Sequence, residues 1–269
     1  MNDVNFECNP LAVIQKLQTD RRYRDARRAF YIEGIRNFIW AVDNHLKLST
    51  IVYSEKLLIV PLARKLMRQA RRDGVPCYAV SPEQFRQISK TEKASGIGAI
   101  VVQPWTKLSS VRADAGLCWI VLDTVRSSGN FGTLIRTSEA FGGAGFILMG
   151  QQIDPFSPDV VRASMGAVFR QAFVRTNEIA LQKWTNQQNC TVIGASPQGT
   201  IDLHQLPPSR STLLFLGEER QGLTPSQQTL CQQLVRIPMV GAADSLNLAI
   251  AGSVMLYELH RARLVAQCG

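Results

Sequence analysis

Short apolar runs alternate with stretches of helical spacing along the whole chain. Residues 10–20 and 33–47 carry apolar positions at helical spacing on either side of a short strand, AFYI at 29–32. IVY at 51–53, a helix through 64–72, a strand near 76–80 and GAIVV at 98–102 follow. The stretch QPWTKLSSVRADAG at 103–116 holds Pro, Ser and Gly with little periodicity, and reads as a linker over 106–115. Beyond it the runs become fully apolar: CWIVL (118–122), GFILM (145–149), TVIGA (191–195), TLLFL (212–216) and VRIP (235–238). Helices are predicted between them at Leu134–Phe141, Val160–Met165 and near 225–233, with a last one to the end. Short apolar strands separated by helices predict a parallel sheet covered on both faces, hence an α/β fold. The expected domains are 1–105 and 116–269.

That pattern would suit a dinucleotide-binding fold, but the glycines do not. After CWIVL comes DTVRSSGNFG rather than Gly-x-Gly-x-x-Gly, and FGGAGF at 141–146 precedes a strand instead of joining strand to helix. Charge adds a second feature. The formal net charge of the 269 residues is +9. Residues 1–105 hold 17 Lys and Arg against 10 Asp and Glu, so most of the surplus is N-terminal. Two dense basic tracts lie there, RRYRDARR at 21–28 and RKLMRQARR at 64–72. In the second, Arg64, Arg68, Arg71 and Arg72 follow three- and four-residue spacing and share a helix face that suits a polyanion. The alternative is a solvated surface. Six cysteines, widely spaced and without Cys-x-x-Cys, indicate neither a zinc site nor a disulfide framework. Cys118 reads as a small core residue. MNDVNFECNP is not a signal peptide, and no apolar run is long enough to span a bilayer, so a cytoplasmic location is expected.

Three polar loops stand out because each follows an apolar strand. In SSGNFGTLIRT, Gly129 and Gly132 permit a tight turn, Asn130 can donate and accept, and Arg136 falls about a turn and a half into the next helix. FLGEERQGLT (215–224) places Gly217 after a strand, with Glu218 and Glu219 before a second glycine. IPMVGAADSLNLAIAGSVMLYE (237–258) runs from a strand end through a Pro-Met-Gly loop into a helix capped by Asp244 or Ser245. The histidines, His45, His204 and His260, lie outside all three loops.

Together, in this order and spacing, the loops resemble the three motifs of the SpoU/TrmH family of RNA ribose 2′-O-methyltransferases in the SPOUT superfamily. SPDVVRASMGAVFR at 157–170 resembles the family's stretch between motifs one and two. RRAFYIEGIRNFIWAVDN at 27–44 is similar to the small ribosomal-protein-like substrate domain that precedes many of its catalytic domains. The resemblance implies a parallel SPOUT sheet with a deep trefoil knot, S-adenosyl-L-methionine as cofactor, no metal, and a homodimer acting on structured RNA. Ribosomal RNA is preferred to transfer RNA because of the N-terminal domain.

It also assigns residues. Asn130, Arg136, Glu219, Ser245 and Asn247 match the catalytic motifs. Gly217, Ile237, Met239 and Leu246 match the cofactor site, and Arg162 matches a position in the middle stretch where a neighbouring subunit can complete a site. Arg136 is expected to contact an RNA phosphate and stabilise charge on the target oxygen, since a guanidinium holds its proton too firmly to act as a base. Pairing with Glu139 is the plainer alternative for it. Ser127-Ser128 depart from the Asp-Pro common in the family, which changes loop stiffness. A transfer RNA substrate, base-nitrogen methylation, or a non-catalytic ribosome-assembly factor on the same fold are the alternatives.

Overall fold

A computed structural model describes residues 9–150, 153–207 and 209–268. Residues 1–8, including most of the stretch read for a signal peptide, lie outside the described residues. Two compact units divide the chain: residues 1–104 with 156–169, and residues 105–155 with 170–269.

The first unit runs α1 (Pro10–Thr19), α2 (Arg21–Arg27), β1 (Ala29–Glu33), α3 (Ile35–Asp43), β2 (Leu48–Tyr53), α4 (Pro61–Arg72), β3 (Cys77–Ala79), α5 (Pro82–Ile88) and β4 (Ile97–Val102). Its sheet has the order β1-β4-β2-β3, antiparallel except for the β2–β3 pair. Val13, Ile14 and Leu17 of α1 and Phe85 and Ile88 of α5 bury one face of it. The later segment 156–169 belongs here too: Phe156 stacks on Phe30 at 4.8 Å. Gly166, at φ +90, leaves room for the Trp40 indole, which a Cβ would meet at 1.8 Å.

The second unit holds β5 (Trp105–Thr106), β6 (Trp119–Leu122), α6 (Ser128–Ala140) and β7 (Gly145–Leu148). After α7 (Pro158–Ala163) in the first unit it resumes with β8 (Ala172–Arg175), α8 (Glu178–Gln188), β9 (Thr191–Ala195), β10 (Ile201–Asp202), β11 (Thr212–Leu216), α9 (Pro225–Leu230), β12 (Gln233–Arg236) and α10 (Leu248–Cys268). The eight strands lie in the order β10-β12-β9-β11-β6-β7-β8-β5. Every pairing between them is parallel, as the apolar runs predict. Cys118 is fully buried, which pushes its thiol pKa up to about 12.

Several elements differ from the sequence expectation. The stretch 106–115 contributes Thr106 to β5, a 3-10 turn at Leu108–Ser110, and the core residues Val111 and Ala113. Helix α6 begins six residues before Leu134, so Gly129 and Gly132 lie within its first turns and do not form a loop. Ser127 caps it by accepting the Asn130 N–H at 3.2 Å. Helices α2, α5 and α8 and strands β5, β8 and β10 are additions that the periodicity does not predict.

Candidate active site

Strands β6 and β11 are parallel neighbours in register, with Leu122 opposite Leu216. The loops leaving their carboxyl ends, 123–127 and 217–222, therefore lie side by side, the usual place for a ligand site in an open α/β sheet. The second loop is a closed turn. Glu218 and Gly222 exchange both backbone hydrogen bonds, at 3.1 and 2.9 Å. A Cβ on Gly217 would sit 2.2 Å from the Gly222 carbonyl carbon, so this turn closes only with glycine at 217.

One residue from each loop motif meets the others here. Asn247 is the N-cap of α10: its Oδ1 accepts the N–H groups of Ala249 at 2.9 Å and Ile250 at 3.4 Å. Asp244 and Ser245, the expected caps, lie further back in the loop. With its oxygen committed to the helix, Asn247 donates through Nδ2 to Asn130 Oδ1 at 3.1 Å. Asn130 in turn donates through Nδ2 to Glu219 Oε1 at 3.4 Å. Because a carboxylate only accepts, this relay has one direction, from the start of α10 to Glu219.

Beside the relay lies a cavity of about 300 Å³, at the low end of the roughly 300–1,000 Å³ typical of small-molecule sites. Gly217, Ile237, Met239 and Leu246 all line it, as does Ser245. Leu216, Val235, Leu248 and Met255 give it a buried apolar floor, and Glu218, Glu219 and Asp244 bring carboxylates. An apolar bed suited to adenine beside carboxylates suited to a sulfonium cation fits S-adenosylmethionine. The loop 195–198 after β9 also lines the cavity. It escapes a reading of the sequence because SPQG there looks like an ordinary turn.

The remaining candidates sit apart from the relay. Arg136 is exposed on α6, about 9 Å along the axis from Asn130 at 1.5 Å per residue. Its alternative partner Glu139 is held by Arg170 at 3.0 Å, and among the described residues none pairs with Arg136. Arg162 is paired with Asp159 at 2.8 Å on α7. Glu218 is a structural acceptor. It takes the N–H groups of Gln221 at 2.8 Å and Arg220 at 2.9 Å and pairs with Arg126. The Gln221 N–H contributes most to holding its carboxyl below the usual range.

The SpoU rRNA Methylase family profile matches residues 118–257, more than half of the chain. This chain belongs to that family. An MRM3-like substrate binding domain profile matches residues 12–99 of this SpoU family member. It is 29% identical to a 23S rRNA uridine 2′-O-methyltransferase of Streptomyces viridochromogenes, over 93% of this chain and 88% of that protein. It is 28% identical to the 23S rRNA guanosine 2′-O-methyltransferase RlmP of Bacillus subtilis, over 91% and 93%. Among solved structures, an AdoMet-bound rRNA methyltransferase from Sinorhizobium meliloti superposes with a TM-score of 0.86 at 32% identity, covering 94% of each chain.

The basic helix of the first unit is less uniform than its sequence. Ala63, Met67 and Ala70 bury one side of α4. Arg64 and Arg71 flank that side and are engaged. Arg64 donates to the carbonyls of Leu58 at 2.5 Å and Glu55 at 3.0 Å. Arg71 donates to the Tyr53 hydroxyl at 2.7 Å and lies over its ring. Among the described residues Arg72 reaches only Gln69, at 2.7 Å, one turn back on its own helix. Arg68 and Lys65 are exposed, and among the described residues neither has a partner.

Proposed function

We propose that this protein is an S-adenosylmethionine-dependent RNA ribose 2′-O-methyltransferase acting on ribosomal RNA. The observation that carries the reading is the relay Asn247–Asn130–Glu219, which joins one residue from each of three distant motifs and ends on Glu219 in the lining of a cavity of about 300 Å³. S-adenosylmethionine supplies an electrophilic methyl group on sulfur. Glu219 orients Asn130, and Asn130 with Asn247 fixes the edge of the pocket where the ribose enters. Arg136, free of protein partners among the described residues, binds an RNA phosphate and stabilises negative charge as the 2′-oxygen takes the methyl. The hydroxyl proton leaves to phosphate or water, and S-adenosylhomocysteine is the second product. The names of the Streptomyces and Bacillus relatives support 23S rRNA as the substrate pool.

The finer features rest on the same reading. The first unit binds structured RNA through Arg68, Arg72 and Lys65. The order β12-β9-β11-β6, with α10 then returning to α6, supports the knotted threading of the C-terminal segment. A cytoplasmic location is in keeping with an rRNA substrate. Ile250, Val254, Tyr257, Leu264 and Val265 form one exposed apolar face of α10, opposite buried Met255, Leu256 and Leu259, and support a homodimer. Arg162 is then the candidate for a residue that the partner subunit contributes. Replacing Val254 and Tyr257 with Glu is expected to give a monomer by light scattering; an unchanged dimer would remove α10 from the interface.

The deciding experiment incubates the protein with labelled S-adenosylmethionine and separate rRNA and tRNA pools, then digests the labelled RNA to nucleosides. A 2′-O-methylated nucleoside from rRNA is expected. Label only in tRNA would move the substrate, a methylated base would change the reaction class, and absence of both transfer and cofactor binding would leave a ribosome-assembly factor. Arg136→Ala is expected to lower transfer by at least about a hundredfold, the scale of losing one charge-stabilising group, while cofactor affinity holds.

A further inference from the structure

The relay depends on two loops keeping a fixed separation, and its own contacts are too long to impose it. Glu219 meets the Asn130 amide and the Arg126 N–H only at 3.4 Å, near the outer limit of a hydrogen bond. The 123–127 loop has no proline to stiffen it and is fixed only at its end, where Ser127 caps α6. A charge-assisted contact bridges the same two loops. Arg126 Nε is ion-paired to Glu218, whose side chain is only 12% exposed. The Glu218 carboxylate is already fixed by the N–H groups of Arg220 and Gln221, so pairing orders little on the acidic side. Arg126 thus binds the second loop twice, through its side chain to Glu218 and its backbone to Glu219.

We propose that Arg126 and Glu218 form a positioning clamp that sets the distance between the first and second motif loops, and with it the Glu219–Asn130 end of the relay. Glu218 lines the cofactor cavity, but its carboxylate is taken up by Arg126 and the two backbone N–H groups, so it acts on the relay by position. The clamp acts through Glu219 and rests on the methyltransferase reading for its effect on rate, but not for its effect on the loop. A single ion pair whose arginine is more than half exposed contributes little to global stability, so its removal shows in the rate and in loop dynamics rather than in melting.

The test compares the wild type with Arg126→Gln, Glu218→Gln and the double variant in single-turnover methyl transfer at saturating cofactor. Each single change is expected to slow transfer about tenfold, as small misplacements at a reacting centre do. The double variant is expected to lose about tenfold as well rather than a hundredfold, because the two residues act as one unit. Arg126→Lys, which keeps the charge, recovers part of the rate. Amide exchange at residues 124–130 speeds up in all three neutral variants while melting temperatures hold. Additive rate losses, or exchange at 124–130 identical to the wild type, would overturn the clamp. A wild type that transfers no methyl would overturn the functional reading instead, and the exchange measurement would still decide the clamp.

Discussion

Asn247 performs two tasks with opposite ends of one amide, and the two can be separated. Its oxygen caps α10 and its nitrogen reaches Asn130. Asn247→Asp keeps an acceptor for the helix N–H groups and adds a negative charge at the positive helix end, worth roughly 0.3–1 kcal/mol. It has no donor for Asn130 Oδ1. The expected outcome is unchanged or slightly raised stability with methyl transfer reduced about tenfold or more. Asn247→Ala loses both tasks and costs about 1 kcal/mol of stability as well. Equilibrium unfolding and transfer rates on the pair check this; full activity in the Asp variant would show that the relay is dispensable. From the sequence the motif residues can be named, but not their order of donation. Asp244 and Ser245 are equally good caps by residue type, and only the position of the first α10 turn selects Asn247.

Among the elements, α4 shows how a basic face divides into structural and available charges. Arg68→Glu with Arg72→Glu is expected to weaken rRNA binding and flatten its salt dependence by about two in the log-log slope, one for each phosphate the variant no longer neutralises. Arg64→Ala and Arg71→Ala are expected instead to lower the melting temperature, since each removes hydrogen bonds to the protein, with a smaller effect on the salt slope. Filter binding across a salt series and thermal melts distinguish the two pairs; equal slopes in both would return α4 to plain surface. The helix and its basic spacing are legible locally. Which arginines are occupied is not, because their partners lie on β2 and the 54–58 segment. The start of α6 is hidden for a related reason: interior glycines cost a helix about 1 kcal/mol each, so Gly129 and Gly132 look like a turn. Helix α8 buries only Leu181 and Trp184, too few apolar positions to show a period.

At the scale of the whole molecule, the chain leaves the first unit at residue 104 and returns to it for residues 156–169. A boundary read along the sequence assigns that segment to the catalytic half, because it continues the run of family motifs. The structure supplies it with partners elsewhere: Phe156 on Phe30, and α7 against β1. Phe156, Val160 and Val161 are nearly fully buried, and burying each such side chain stabilises by roughly 1.5–3 kcal/mol. A fragment of residues 116–269 would carry these side chains without their cover, as a contiguous apolar patch that invites association. The fragment is therefore expected to aggregate, and Phe156→Ser, Val160→Ser and Val161→Ser together are expected to restore its solubility. In the full-length protein the same three changes remove packing from the first unit and lower its melting temperature. Sedimentation of both fragments with melting of both full-length forms checks this. If the unaltered fragment stays soluble, and the full-length melt does not move, residues 156–169 belong to the catalytic unit and the boundary at 116 stands.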